Sequence, residues 1–264
     1  MHGLGNDFVV IDARERHIDM TESLARAIAD RRTGVGCDQL IVVGASNRAD
    51  VSMRIFNQDG SEVDACGNAT RCIPLFVGRD VTIETNAGLL EASRQGDLVS
   101  VDMGEARTDW DQVPLAYAMD TLTMPVSWHD LPPPAAVSVG NPHVVFFVEN
   151  IDELDMARLG PMIEHDPLFP ERVNVNFAQM LAPGHIRLVV WERGAGFTQA
   201  CGTGACATAV CAIRRRIARG PVRVTLPGGD LLIDWTPDGH VNMTGPATHV
   251  FDGTLDLADF TPAP

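Results

Sequence analysis

The sequence predicts an α+β protein made of two homologous halves, and three observations carry that expectation. With 264 residues and 45% apolar content, the chain can bury one large core or two modest ones. An internal repeat favours two. RIFNQDGSEVDACGN (54–68) lies over LVVWERGAGFTQACGT (188–203), setting Asn57 on Glu192, Gln58 on Arg193 and Ala65-Cys66-Gly67 on Ala200-Cys201-Gly202, an offset of 135 from 66 to 201. The same offset carries Gly5-Asn6-Asp7 onto Gly140-Asn141-Pro142 and Gln39 onto Asn174; beyond the cysteines, TNAGLLEA (85–92) matches LPGGDLLIDW (226–235) through Gly88 and Gly229, an offset of 141. Finally, short β-rich runs outnumber helical patterns and follow one another closely, which favours antiparallel or mixed sheets over a parallel doubly wound one.

In chain order, TESLARAIADRR (21–32) follows Asp19 with a capping residue and predicts a helix ending at Gly34. QLIVVG, VSMRIF, VTIET, LLEAS and LVSVDM read as strands of the first half, and HVVFFV, IRLVVW, VRVTL, LLIDW and HVNM as strands of the second. A helix starts at each cysteine turn. GNATRCIPLFVG (67–78) should be kinked or shortened by Pro74. GTGACATAVCAIRRRIA (202–218) is small or apolar nearly all round, so its first turns should be buried. Arg214, Arg215, Arg216 and Arg219 crowd its last turn, where cations complement the helix dipole, and Gly220-Pro221 stops it. The Pro-rich SWHDLPPPAA (127–136) marks a linker or a loop soon after one. The expected domains are residues 1–115 and 116–250, with a tail of 251–264 returning to the first.

Composition excludes several functions. A formal charge of −15 offers no basic surface to a phosphate backbone, so nucleic acid is not an expected partner. No run of eighteen apolar residues appears and MHGLGNDFVV lacks a signal-peptide layout, which points away from the membrane and toward the cytoplasm. In that reducing compartment the six cysteines are expected as free thiols. All 20 Lys+Arg residues are arginine, so neither a Schiff-base lysine for pyridoxal phosphate nor a P-loop lysine exists. GLGND, GVGCD and GAGFT lack the third glycine of a dinucleotide fingerprint, and HExxH is absent. No cofactor is expected. Nor is a metal, because the cysteine gaps of five residues (66 to 72) and four (201 to 206 to 211) do not match structural zinc spacing.

A cysteine at a helix N-terminus sits among unpaired N–H groups, which can lower a thiol pKa into roughly the 3.5–7.5 range and seat an anion such as a carboxylate. Cys37, Cys72, Cys206 and Cys211 read as small buried hydrophobes. Cys66 and Cys201 differ, each preceding glycine at equivalent points of the repeat. Halves packed about a pseudo-twofold axis would set these two thiols across a cleft, an arrangement suited to inverting a proton-bearing carbon: one thiolate removes the α-proton of an amino acid while a thiol on the other face delivers one.

The motifs MHGLGNDFVVID, DQL, RIFNQDGSEVDACGNATRC, GNPH, FPERVNVNF and ERGAGFTQACGTGACA, spanning Met1 to about Cys206, resemble the diaminopimelate epimerase family. The resemblance implies two pseudosymmetric domains, each a sheet wrapped around a central helix, and a cofactor-independent homodimer. The implied reaction interconverts LL- and meso-diaminopimelate, in lysine and peptidoglycan-precursor synthesis. Carried over to this chain, it makes Cys66 and Cys201 the acid/base pair. Asn6, Gln39, Gly67, Asn68, Gly202 and Thr203 would hold the reacting amino-acid end. Asn57, Asn141, Asn174, Glu192 and Arg193 would grip substrate, chiefly at its other end, with Arg193 suited to a carboxylate and Glu192 to an ammonium. His143 would lie near a cysteine.

The chain departs from the family pattern at Phe197, where glutamate is usual and where the repeat has Glu62; at Pro74; and at its start, which lacks the few residues that usually open the first strand and points to a start upstream of Met1. Phe197 keeps a related two-cysteine racemase of another amino acid as the alternative. Six cysteines keep a thiol-based metal or redox protein as a weaker one.

Overall fold

The computed structural model describes the whole chain except Ala65, Asp130 and residues 261–264. Outside the described residues therefore lie the alanine of the first cysteine turn, one residue of the Pro-rich stretch and the end of the expected tail. The chain forms two compact units, Met1–Val101 with the chain from Gly245 onward, and Asp102–Thr244.

In the first unit the elements are β1 (His2–Gly3), β2 (Asn6–Ala13), α1 (Glu22–Ala29), β3 (Gln39–Gly44), β4 (Val51–Asn57), β5 (Glu62–Val63), α2 (Gly67–Val77), β6 (Val81–Thr85), β7 (Gly88–Gln95) and the start of β8 (Leu98–Glu105). In the second they are β9 (Ala135–Ser138), β10 (Pro142–Val148), α3 (Met156–Glu164), β11 (Asn174–Ala182), β12 (His185–Glu192), β13 (Gly196–Phe197), α4 (Gly202–Arg214), β14 (Val222–Leu226), β15 (Gly229–Trp235) and β16 (His240–Pro246). The chain passes from one unit to the other within β8 and back within β16. The expected boundaries near 115 and 250 both lie later in the chain.

Strand order is β1-β2-β3-β4-β6-β7-β8 in the first unit and β9-β10-β11-β12-β14-β15-β16 in the second. Both sheets are mixed. β2 and β3 run parallel, β3 and β4 antiparallel, β4 and β6 parallel; β10 to β11, β11 to β12 and β12 to β14 repeat that pattern. The register repeats as well. Leu40 faces Phe56 as Val175 faces Trp191, both partners displaced by 135, and Val51 faces Ile83 as Ile186 faces Val224, displaced by 135 and 141. The six extra residues of the second half therefore lie between the start of α4 and β14: the helix has 13 residues against 11 in α2, and the connection after it is four residues longer. Each unit is an α+β layer with one buried helix: α2 packs on β1, β6 and β7, and α4 on β9, β10, β11, β12, β14 and β15. α4 is buried along nearly its whole length because Gly, Ala, Thr, Cys and Val let strands approach from most sides.

α1 starts as expected, with the Thr21 hydroxyl accepting from Leu24 N–H, but it ends at Ala29, short of Gly34. The Asp30 carboxylate accepts from the backbone N–H groups of Arg32 (2.8 Å) and Thr33 (2.7 Å), turning the chain out of the helix. Gly34 then folds back onto the helix end, where a Cβ would lie 2.2 Å from the Ala27 carbonyl oxygen. α2 runs through Pro74 and stops at Gly78, whose φ of 87° suits glycine.

The Pro-rich stretch belongs to the core of the second unit. Trp128 meets Phe146 edge-on at 5.8 Å and stacks on Phe169 at 6.1 Å, and its indole N–H donates to Asp166 at 2.8 Å. Val113, Leu115, Met124 and Leu131 are buried in the same cluster. Among the described residues, no helix is long and apolar enough to cross a membrane.

Candidate active site

In the first unit Cys66 caps α2, with extended backbone (φ −148°, ψ 106°) and no side-chain cap bond. Its thiol points to Asn6 Oδ1 at 3.9 Å, and Asn68 Nδ2 donates to the same oxygen at 3.2 Å. The other end of the Asn6 amide donates to Asp38 Oδ2 at 3.1 Å, and Arg31 binds Asp38 at 2.7 Å. Gln39 Nε2 donates to Asn57 Oδ1 at 3.0 Å, as their paired positions on β3 and β4 require; Gln39 Oε1 is buried with no hydrogen-bond partner. Gly67 and Asn68 form the buried first turn of α2. Asn68 Oδ1 accepts from the fully buried Arg71 at 3.0 Å, which also reaches the Pro246 carbonyl at 3.2 Å.

In the second unit Cys201 caps α4 in the same extended conformation (φ −117°, ψ 103°) but is only 3% exposed. Its Sγ lies 3.6 Å from Thr203 Oγ1, and the Gly204 N–H and the Glu192 carboxyl also bond to it. Thr198 donates a short hydrogen bond to Glu192. Asn141 Nδ2 donates to Thr203 at 3.4 Å, and Asn141 Oδ1 meets His143 Nε2 at 2.9 Å. Asn174 donates to the Pro142 carbonyl at 2.9 Å and accepts from Arg193 N–H at 3.0 Å. The Arg193 guanidinium holds the Glu171 carbonyl at 2.9 Å and, among the described residues, makes no ion pair, so its charge is available to a carboxylate.

The expected lowering of the thiol pKa does not hold for Cys201. The helix N–H at Gly204 does stabilise the thiolate, yet burial pushes the thiol well above its ordinary value and the Glu192 charge pushes it further. Burial likewise raises the Glu192 carboxyl, against hydrogen bonds from Thr198 and Cys201. Cys201 is therefore a thiol at neutral pH in this state. Cys37, Cys72, Cys206 and Cys211 are buried, and burial lifts Cys37 to about 11 and Cys72 and Cys211 to about 12. Among the described residues, no group of three or more His, Cys, Asp or Glu is placed to hold a metal ion.

The structure thus gathers the expected residues into two clusters: Asn6, Gln39, Asn57, Gly67, Cys66 and Asn68 in one unit, and Asn141, His143, Asn174, Glu192, Arg193, Cys201, Gly202 and Thr203 in the other. Three contributors escaped the sequence reading. Asp38 precedes Gln39 and was hidden as an ordinary acid. Thr198 directly follows β13, and its hydroxyl reaches the Glu192 carboxyl. Asn176 lies two residues after Asn174, on the same face of β11, and a period of two would have pointed to it.

A family model described as diaminopimelate epimerase matches residues 1–108 and 135–250. The chain belongs to the diaminopimelate epimerase family. It is 59% identical over 262 residues to the diaminopimelate epimerase of Zymomonas mobilis, covering 99% of this chain and 97% of that protein. It is 62% identical to the one from Rhizorhabdus wittichii, covering 98% and 95%. Among solved structures, the chain shares its fold with a hydroxyproline epimerase from Agrobacterium vitis (TM-score 0.63, 17% identity, 93% of this chain and 86% of that one). It also shares it with a putative phenazine biosynthesis protein from Clostridium difficile (TM-score 0.65, 14% identity, 96% and 93%). The chain is an isomerase, an amino-acid epimerase. The family match leaves out the stretch between 108 and 135, where this chain has the Trp128 cluster.

Proposed function

We propose that this diaminopimelate epimerase family member interconverts LL-2,6-diaminopimelate and meso-diaminopimelate, with Cys66 and Cys201 as the two bases and no cofactor. The reading carries with it a place in lysine and peptidoglycan-precursor synthesis, action in the cytoplasm and a homodimer. One observation supports the pairing above the others: both cysteines cap the buried helix of their unit at equivalent positions of a repeated register, Cys66 in contact with Asn6 and Cys201 linked through Thr203 to the equivalent Asn141.

The chemistry is balanced in protons. One cysteine acts as thiolate and takes the α-proton; the other gives a proton to the opposite face of the same carbon, so each turnover leaves the pair with its roles exchanged. The buried Cys201 thiol suits the donating state, since its proton is held until charge develops beside it. The acidity of the α-carbon is raised by N–H groups at the helix starts, Gly67 and Gly202, hydrogen-bonding the substrate carboxylate in a dry site. Arg193 takes a carboxylate, and Glu192 an ammonium, as the geometry of a planar fork and a buried acid suggests.

The test is isotope exchange. Incubated with LL-diaminopimelate in deuterated water under reducing conditions, the protein should place deuterium at the α-carbon of both isomers, and Cys66→Ala and Cys201→Ala should abolish epimerisation. Absence of exchange in the wild-type protein overturns the reading. Exchange with a different amino acid but not with diaminopimelate identifies a related racemase, the alternative that Phe197 keeps open: its exposed ring packs on Trp191, next to Glu192.

A further inference from the structure

We propose that Asn176 is a positioning residue: it fixes which ring nitrogen of His143 carries the proton, and through that ring it sets the direction in which the Asn141 amide faces Thr203. The inference rests on reading Asn141, Thr203 and Cys201 as site residues, and it assigns His143 an orienting role rather than a proton-transfer one.

The chain of constraints starts at two backbone carbonyls. Asn176 Nδ2 lies 2.9 Å from the Val144 oxygen and 3.2 Å from the Asn174 oxygen, so the end of the amide facing them must be its donor end. The same Nδ2 lies 3.2 Å from His143 Nδ1. The two amide hydrogens serve three acceptors, one being shared between the Asn174 oxygen and Nδ1, both at 3.2 Å. An amide nitrogen does not accept hydrogen bonds, so a proton on Nδ1 would point at a group that cannot take it, and Nδ1 is read as the bare nitrogen. In a neutral imidazole the proton is then on Nε2, which donates to Asn141 Oδ1 at 2.9 Å. Asn141 has one remaining direction, with its Nδ2 toward Thr203 Oγ1 at 3.4 Å. Having accepted there, Thr203 keeps its own hydroxyl proton free for Cys201 Sγ at 3.6 Å.

Two further observations close the alternatives. His143 is fully buried, and burial pulls its pKa down to about 3, so the imidazolium that would donate from both nitrogens does not form at working pH. Asn176 also cannot turn over. Its Oδ1 is buried without a hydrogen-bond partner and lies against α4, 2.7 Å from where a Cβ on Gly204 would stand. A flipped amide would set that oxygen against two carbonyls, at 2.9 and 3.2 Å.

The first half makes the contrast. Phe8 stands at the position of His143, and Asn6 is held instead by a carboxylate: Asp38 Oδ2 takes its Nδ2 at 3.1 Å, so its oxygen faces Asn68 and the Cys66 thiol. An ionised carboxylate only accepts. The two equivalent asparagines are therefore clamped in opposite senses, one offering an acceptor to its cysteine turn and the other a donor.

The test reads the tautomer directly. A long-range proton–nitrogen spectrum of protein labelled at its histidines, with the His143 signals assigned by their loss in His143→Gln, should show the neutral Nε2–H form, unchanged down to the lowest pH at which the fold survives. The Nδ1–H form, or an imidazolium at neutral pH, overturns the proposal. Asn176→Asp replaces the donor by an acceptor, so a proton should appear on Nδ1, with kcat for deuterium exchange falling about tenfold, the loss of roughly one oriented hydrogen bond. An unchanged tautomer and rate in that variant remove Asn176 from its role. If Asn176→Asp does not fold, Asn176→Ser deletes the donor and should give a mixture of tautomers, and a single unchanged form counts against the proposal. The wild-type spectrum needs no variant and no substrate, so its outcome is separate from that of the exchange assay on which the function rests.

Discussion

Replacing Gly204 by alanine probes the packing of α4 beside the Cys201 cluster. Gly204 is the third residue of α4, and a Cβ there would lie 2.7 Å from Asn176 Oδ1, 3.0 Å from Val190 Cγ2 and 3.3 Å from Cys201 Sγ. The first of these atoms cannot retreat easily, because the Asn176 amide is pinned by the Val144 and Asn174 carbonyls. Overpacking of this kind costs about 1–3 kcal/mol. Against it stands the better helix propensity of alanine, worth about 1 kcal/mol. Gly204→Ala should therefore be destabilised by about 0–2 kcal/mol, whereas an unobstructed helix site would gain about 1 kcal/mol from the same change. Denaturant midpoints measured beside deuterium exchange separate the two: the midpoint should not rise, and exchange should fall because Asn176, His143 and Cys201 are displaced together. A variant more stable than wild type with undiminished exchange would refute the close packing of α4 on Asn176.

Phe197→Glu should cost about 0.5–1.5 kcal/mol, the edge-to-face contact with Trp191 at 5.0 Å, because Val189 stands where Arg54 pairs Glu62 in the first half; a stability gain in urea melts would contradict this. Glu192→Gln tests the buried acid by pH. The folded pKa of Glu192 is raised, so the stability it contributes is fully present below its unfolded value and is lost as pH rises through the folded one. The glutamine variant should gain on wild type over that rise, and a pH-independent difference between their midpoints would count against the shift. Gly160→Ala places a Cβ 2.5 Å from Trp191 Cδ2, while the indole N–H is tied to Glu164 at 2.8 Å, so a loss of about 1–3 kcal/mol and a change in tryptophan emission are expected. Wild-type emission and midpoint would show that the indole moves freely.

Much of the fold was legible because the repeat survives in the residues that hold backbone geometry. QLIVVG and VRVTL coincide with β3 and β14, and the change of offset from 135 to 141 falls across the end of α4 and the connection after it. α3 escaped because Gly160 and Pro161 interrupt its helical pattern; glycine is needed there for the Trp191 ring, a tertiary reason with no local signal. α1 was drawn too long for the opposite reason: ADRR is good helix sequence, and the Asp30 side chain that ends it acts through bonds to Arg32 and Thr33. Proline-rich composition suggested a linker around Leu131, whereas Trp128 needed the Phe146 and Phe169 surfaces that only the folded second unit provides.

In the candidate site, identity between the halves was informative and difference was opaque. Cys66 and Cys201 announce themselves because both turns read Ala-Cys-Gly. Asp38 and His143 have no repeat partner of like chemistry, Val173 and Phe8 standing in their places, so comparison of the halves could not find their functions. Yet these are the residues that make the two clusters differ: one clamps Asn6 from its amide nitrogen and the other clamps Asn141 from its oxygen. On the proposed two-base reading, two identical clusters would offer a bound carbon the same hydrogen-bonding groups from each cysteine turn. The three groups on an amino-acid α-carbon differ, a carboxylate, an ammonium and a side chain, so on that reading a site that holds it in one orientation needs unlike partners. The difference lies in side chains behind the asparagines, Asp38 and His143, while the strand register of the two units repeats.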